Sequence, residues 1–396
     1  MQIKNKRIKI LIGQSNIKVI NSQPFNKITM EFLSLFSKEI FKEKKSKKYS
    51  DLITLGFWCR KQNLETLKKI YSDNFFRTGL GILFHVPPRN VPVTAIYSYI
   101  FGIISGNSNI IRISNPKLEN IALVLKILKK LLNKKKFKLI KQTNCFVNYE
   151  QDDEISNLIS KGVDGRLIWG GDKTIEKFKN FSTKLNCIDL MFSDKYSLSI
   201  LNSNKILKFN KNELNKFIEN FYNDIFLMDQ NACSSPHLVC WTKNSSLKQI
   251  KIFWEKLDDF VKKKYLLSDF ISSKRYLTLN RIQMDHLNLK LLRSSKSFYV
   301  LELPKLHENI KDLRGFAGII FQYHLKSLNE VLFFLSRKIQ TITYFGLQKK
   351  DLIKLLNSNR LRGIDRVVPV GQALNVDLKW DGYNIVERLT RIIDIK

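Results

Sequence analysis

Between residues 79 and 200, short β-prone runs alternate with stretches of helical periodicity, and nothing else in the sequence narrows the fold as far. GLGILFHV (79–86) reads as a strand, and PPRNVP (87–92) follows as a rigid extended loop because proline fixes φ and constrains the residue before it. A helix is predicted over 93–105, and GNSNIIRISNP then gives turn, strand and turn. Apolar residues at 121, 124, 125, 128 and 132 predict another helix. CFVNY (145–149) is a strand, Asp152–Ser160 a short helix, and VDGRLIWGGDKTIEKFKNF (163–181) reads turn, strand, glycine turn and helix. Strands spaced by helices of this length imply a mainly parallel α/β sheet.

The flanking regions fit the same class. Residues 27–71 are helical by pattern, with Phe32, Phe36, Ile40 and Phe41 on one face and Leu64, Leu67 and Ile70 on the next. A further strand is expected near YSLSIL within 182–200, helices over 211–228 and 245–266, and strands at FYVLELP and GFAGIIFQYHL. The tail, WDGYNIVERLTRII, is read as ending in a helix with Ile385, Leu389 and Ile392 on one face. With 396 residues, two to three domains are expected.

The chain carries a formal charge of +33 from 68 basic and 35 acidic residues. Its lysines are spread out, and the densest runs, KEKKSKK (42–48) and NKKK (133–136), lie beside amphipathic helices. They read as solvated faces, so no nucleic-acid partner is expected, although the charge would steer anionic cofactors toward the protein. The first twenty residues alternate Ile and Val with Lys and lack the continuous apolar core of a signal peptide. The longest apolar stretch, residues 93–106, falls short of the roughly 20 needed to cross a bilayer. A cytoplasmic protein without a membrane span is expected. Five cysteines without a CxxC pair imply free thiols, and the five histidines show no metal spacing, so no metal is expected.

Three short segments offer chemistry. In FLMDQNACSSPHLVCW (226–241), Cys233 sits where the backbone must turn, among polar residues whose amides can favour a thiolate. Cys240, Cys145 and Cys187 read as core filling, and Cys59 is uncommitted. In PPRNVP, Asn90 has a side-chain amide that can donate to an oxyanion, or serves simply as a turn former. Arg112 ends a strand where a cation could meet a nucleotide's ribose or phosphate. In LIWGGDKTI (167–175), Gly170 and Gly171 precede a helix N-terminus and suit close approach of a dinucleotide. A plain tight turn with Asp172 as N-cap fits them equally.

Six segments taken in order carry a resemblance: HVPPRNVPVTAIYSYIFGIISGNSNIIRIS, RLIWGGDKTI, FSDKYSLSI, DQNACSSPH, QTITYFG and GIDRVVPVGQALNVDLKWDGY. The series resembles the acyl-CoA reductase family, which includes the fatty-acid reductase subunit of bacterial bioluminescence, a divergent branch of the aldehyde dehydrogenase superfamily. It runs from about residue 75 to the C-terminus, with interruptions near 201–220 and 245–310. The resemblance implies an aldehyde-dehydrogenase-like α/β fold, with a Rossmann-like cofactor domain (71–205) and an α/β catalytic domain (206–365). An N-terminal helical region (1–70) would pack on the first, and the C-terminal segment (366–396) would return to the domain interface.

Carried over by position, the resemblance makes Cys233 the nucleophile and Asn90 an oxyanion donor with the cysteine's own N–H. Arg112 stands where a ribose-holding lysine is usual, and Gly170 and Gly171 fall beside the cofactor phosphates and nicotinamide. Hydrolytic relatives activate water with a glutamate, but the matching stretch here, MFSDKYS (191–197), has none. The second glutamate, which holds the nicotinamide ribose, is also missing, and QTITYFG is expected to occupy that region. The implied reaction is NADPH-dependent reduction of a fatty acyl thioester, acyl-CoA or acyl-protein, to the aldehyde, with NADH also open. A homo-oligomer and an acyl-activating synthetase partner are further expectations. An acyl phosphate reductase, an aldehyde-oxidising enzyme and a non-catalytic basic binding protein remain as alternatives.

Overall fold

A computed structural model describes all residues except 4, 72–74, 90, 207, 287, 307 and 359–360. The chain divides into two compact units, Met1–Ser193 with Val376–Lys396, and Asp194–Asn375.

The strands of the first unit are β1 (Lys9–Ile12), β2 (Phe76–Gly79), β3 (Ile82–Val86), β4 (Ser108–Arg112), β5 (Asn144–Asn148), β6 (Gly165–Trp169) and β7 (Ile188–Phe192). Its helices before the tail are α1 (Lys27–Lys42), α2 (Ser50–Trp58), α3 (Lys61–Tyr71), α4 (Thr94–Ile104), α5 (Glu119–Leu132), α6 (Lys138–Thr143), α7 (Asp153–Gly162) and α8 (Asp172–Lys179). A six-stranded sheet runs in the order β1-β5-β4-β3-β6-β7, parallel except where β1 pairs with β5. From β3 the chain winds outward through β4 and β5, then returns to β3's other side for β6 and β7. That reversal is the doubly wound, dinucleotide-binding order, and it places a switch point between β3 and β6.

Helix α4 is buried from Ala95 to Ile104, as its near-continuous apolar sequence requires. It can lie this close to the sheet because of Gly102, where a Cβ would stand 1.9 Å from Asn109 Oδ1. Among the described residues, no helix is long and apolar enough to cross a membrane.

The second unit holds β8 (Tyr196–Leu201), β9 (Pro236–Trp241), β10 (Lys290–Ser294), β11 (Tyr299–Glu302), β12 (Ile319–His324), β13 (Ile339–Phe345) and β14 (Arg366–Pro369). They form one sheet in the order β10-β11-β12-β9-β8-β13-β14, with β10 antiparallel and the rest parallel. The helices are α9 (Ser203–Ile206), α10 (Lys211–Phe226), α11 (Leu247–Lys264), α12 (Asp269–Asp285) and α13 (Lys349–Leu356). Period-two alternation sorts the sheet's side chains. Tyr196, Leu198, Ile200, Leu238 and Cys240 enter one core, while Val239, Trp241, Val300 and Ile320 enter the other with the aromatic faces of α10 and α11.

The tail differs from expectation. After β15 (Lys379–Trp380) and β16 (Tyr383–Asn384), only Ile385–Arg388 is helical (α14). Residues Thr390–Ile393 form β17, antiparallel to β2, so Ile385 and Leu389 are buried while Ile392 lies exposed on an edge strand. Residues 182–200 give two strands, β7 and β8, which belong to different sheets. Ile70 is exposed because α3 packs on Leu64 and Leu67.

Candidate active site

Arg112 is the last residue of β4, and Gly170 and Gly171 directly follow β6, so the three lie at the carboxyl end of the first unit's sheet, flanking the switch point. Ligands of doubly wound sheets bind there, because loops and helix N-termini converge on that edge. Arg112 is 9% exposed and has no carboxylate partner among the described residues. Its Nη2 donates to the Tyr149 carbonyl at 3.3 Å, and its guanidinium lies 4.7 Å from the Tyr149 ring centroid. Its Nε is buried without a hydrogen-bond partner. Burial lowers the guanidinium's pKa, and Arg89 lowers it further against an opposing contribution from Tyr149. A buried cation that lacks a counter-charge suits an incoming anion.

The glycine turn divides into two roles. Gly170 donates its N–H to the Phe192 carbonyl at 3.1 Å, and a Cβ on it would press to 2.9 Å from Thr174 Cβ. Gly171 is the N-cap of α8, so the capping position is one residue earlier than the Asp172 expected as one option. Its φ is −65°, which any residue adopts, and a Cβ there would meet nothing within 4 Å. Open space beside uncapped helix N–H groups fits a phosphate-bearing group. The strand ends are braced by a buried network: Ser98 Oγ lies 2.8 Å from His85 Nδ1 and accepts from Trp169 Nε1 at 3.2 Å, tying β3, α4 and β6 together. His85 is pushed down to about 4 by burial and is therefore a neutral strut.

In the second unit, Cys233 occupies a tight turn at the amino end of β9. The Ser235 N–H donates to the Ala232 carbonyl at 2.9 Å, so Cys233 and Ser234 are the turn's two central residues. Asp229 and Gln230 lead into it with φ of 49° and 59°, a left-handed pair that costs on the order of 1 kcal/mol or more at each residue. Several contacts hold the strained approach in place. Gln230 Nε2 donates to the carbonyls of Pro236 (3.0 Å) and Ile319 (3.1 Å), and its Oε1 accepts from the Gly318 N–H at 3.1 Å. Tyr265 donates its hydroxyl to the Asp229 carboxylate. Ser197 Oγ donates to the carbonyl of Cys233 itself at 2.6 Å.

The thiols fall into two groups. Cys59, Cys145 and Cys240 are sealed, and burial raises the pKa of each. Cys233 and Cys187 are half-buried, and Cys187 packs against the first unit's core from its rim, so the core reading holds for it in part. Cys187 is pushed up to about 11 by burial and by Asp189. His237 lies four residues beyond Cys233 on β9. It is buried against Tyr196, its Nδ1 has no hydrogen-bond partner, and it is pushed down to about 3 by burial and Arg314.

Asn90 and His307 lie outside the described residues. Among the described residues, no group of three His, Cys, Asp or Glu side chains could hold a metal. MFSDKYS closes β7 and opens β8. Phe192 stacks on Trp169 with centroids 3.8 Å apart, and Lys195 pairs with Asp365 at 3.0 Å. A cavity of about 450 Å³ with Lys205, Lys243 and Lys354 in its wall opens at the carboxyl ends of β8, β9, β12 and β13, the end of the sheet away from Cys233. Sequence patterns did not single out Ser197 or Gln230. Two buried serines alternate with apolar residues in YSLSIL, and nothing local distinguishes Ser197 from Ser199.

No curated protein matches the sequence. The fold is that of aldehyde dehydrogenases. Gamma-glutamyl-gamma-aminobutyraldehyde dehydrogenase from Burkholderia cenocepacia is 12% identical over 92% of this chain and 82% of its own, with a TM-score of 0.63. A mutant of P. syringae indole-3-acetaldehyde dehydrogenase, solved with NAD+ and IAA, is 10% identical over 92% and 82%, with a TM-score of 0.65. An oxidoreductase from Marinobacter aquaeolei is 12% identical over 96% and 87%, with a TM-score of 0.64. The sequence profile described as acyl-CoA reductase (LuxC) matches residues 61–392, most of the chain, so this protein belongs to the acyl-CoA reductase family.

Proposed function

We propose that the protein reduces a fatty acyl thioester, carried by CoA or by a partner protein, to the aldehyde through an acyl-enzyme on Cys233. One observation carries the reading: of the two half-buried cysteines, Cys233 and Cys187, Cys233 is a central residue of its turn and has its own carbonyl held by the buried Ser197 hydroxyl. The Cys233 thiolate attacks the acyl carbonyl and expels the donor thiolate, leaving a thioester on the enzyme. The Cys233 backbone N–H and the Asn90 side-chain amide donate to the tetrahedral oxyanion. The Asn90 role rests on the family resemblance, and one such donor is typically worth about 2.7–4 kcal/mol in the barrier.

Arg112 and the Gly171 turn would hold the cofactor's phosphate and ribose groups, and a buried cation without a counter-charge favours the additional 2′-phosphate of NADPH over NADH. NADPH, when bound, supplies the hydride that takes the thioester carbon to the thiohemiacetal level. The thiohemiacetal oxyanion then collapses, its electron pair re-forming the carbonyl as the C–S bond breaks, to release aldehyde and return the Cys233 thiolate. MFSDKYS offers no glutamate to activate water, which supports thiol exchange and reduction over hydrolysis. A cytoplasmic homo-oligomer supplied by an acyl-activating synthetase belongs to the same proposal.

The test is NADPH oxidation with a panel of acyl-CoAs of graded chain length, repeated with NADH. Turnover is expected to fall by on the order of 10⁴-fold or more in Cys233→Ala and to stay within about twofold in Cys187→Ala. Undiminished turnover in Cys233→Ala would remove the nucleophile assignment.

A further inference from the structure

Two register slips meet at one residue. Strand β8 shifts against β9 between Ser197 and Leu198, and against β13 between Ile339 and Ile342. A slip leaves backbone groups without their ladder partners. The Ser197 hydroxyl serves both sides: it accepts from the Thr341 N–H at 3.1 Å and donates to the Cys233 carbonyl at 2.6 Å. Ser197 is fully buried, so water does not compete for either bond. A hydroxyl has a single O–H, and with its oxygen already engaged by Thr341 that O–H is aimed in one direction.

The carbonyl so held belongs to the residue that carries the thiol. Fixing it fixes the peptide between Cys233 and Ser234, and with it the backbone from which the Cys233 side chain projects. The turn's two ends are held independently, since Gln230 bridges Pro236 and the Gly318–Ile319 segment. Loss of the Ser197 hydroxyl would therefore release the middle of the turn and leave its ends in place.

We infer that Ser197 is a positioning residue for Cys233, its buried hydroxyl fixing the cysteine's own peptide and thereby the direction of the thiol. The inference rests on the reading of Cys233 as the nucleophile. Misplacing a nucleophile by a fraction of an ångström to an ångström costs about ten- to a hundredfold in rate without changing how substrate binds.

The experiment compares wild type, Ser197→Ala, Ser197→Thr and Cys233→Ala as full-length chains. Three readings are taken: the melting temperature, kcat and KM with dodecanoyl-CoA and NADPH, and the rate at which iodoacetamide alkylates Cys233, followed by peptide mass. In Ser197→Ala, kcat is expected to fall about tenfold or more with KM unchanged, and the alkylation rate to shift severalfold; Ser197→Thr, which keeps the hydroxyl, should recover both. Wild-type kcat and alkylation in Ser197→Ala would overturn the inference. So would a parallel loss of kcat, KM and melting temperature that Ser197→Thr fails to restore. Should the Ala variant not fold, Ser197→Cys keeps a weak donor: a partial loss of alkylation rate supports the role and a full rate overturns it. Full turnover in Cys233→Ala would instead refute the nucleophile reading, while the alkylation rates still report whether Ser197 directs the thiol.

Discussion

The two units are both parallel α/β sheets, yet their chemistry-bearing residues stand at opposite strand ends and are finished in opposite ways. In the first unit the residues sit at carboxyl ends, where Arg112 keeps a buried Nε without a partner and Gly171 faces open space. In the second, Cys233 sits at the amino end of β9, where Ser197, Gln230 and Tyr265 pin the turn from three directions. On the proposed reading the first site accepts and releases a charged cofactor, and such a site leaves its polar groups waiting for one. On the same reading Cys233 forms a covalent bond, and such a site gains more from having its backbone fixed beforehand.

Each sheet also buries one neutral histidine, and these give the largest expected effect. His85 is held by two hydrogen bonds, whereas His237 lies with its ring tilted against Tyr196 and its Nδ1 buried without a hydrogen-bond partner. The folded pKa of each lies below the ordinary 6.5, near 4 for His85 and near 3 for His237. Stability from both is therefore present above pH 6.5 and is lost as pH falls toward those values. Urea unfolding of His237→Phe should show about 2 kcal/mol less loss between about pH 7.5 and about pH 5 than wild type. An unchanged pH slope would mean that burial does not lower the His237 pKa in the folded protein.

Arg112→Met probes the unfinished side. Removing a buried charge that has no counter-charge should leave the melting temperature equal or higher while weakening NADPH binding about tenfold or more, read by cofactor-induced thermal shift. A fall in stability with intact cofactor binding would make Arg112 a structural residue.

The glycines sharpen the contrast with a smaller effect. Gly170→Ala drives a Cβ against Thr174 and should cost about 1 kcal/mol, whereas Gly171→Ala meets no clash, should cost less than that through the weaker N-cap, and should lower NADPH affinity severalfold. Equal behaviour of the two variants in both assays would remove the distinction.

Part of this was legible in the sequence, for physical reasons that differ by residue. The alternation of strands and helices was readable because each element's period is local, and Cys233 stood out because its neighbours are turn formers. Arg112 and the two glycines could be placed at strand ends for the same reason. The tail could not be read correctly: Ile385 and Leu389 have helical spacing, but Thr390–Ile393 becomes a strand only by pairing with Phe76–Gly79, more than three hundred residues earlier. Ser197 was hidden because its role comes from register slips in two strand pairings, and register is a property of the partners. Cys187 was readable in part: it packs against the core, and its place just before an outer strand leaves it half-buried.

The most direct measurement is the mass of the protein after incubation with dodecanoyl-CoA in the absence of any nicotinamide cofactor, followed by peptide mapping. An adduct of one acyl group is expected on the peptide containing Cys233, absent in Cys233→Ala and discharged as aldehyde when NADPH is added. An adduct on Cys187, or aldehyde formed with no acyl-enzyme ever detectable at Cys233, would contradict a covalent route through that thiol.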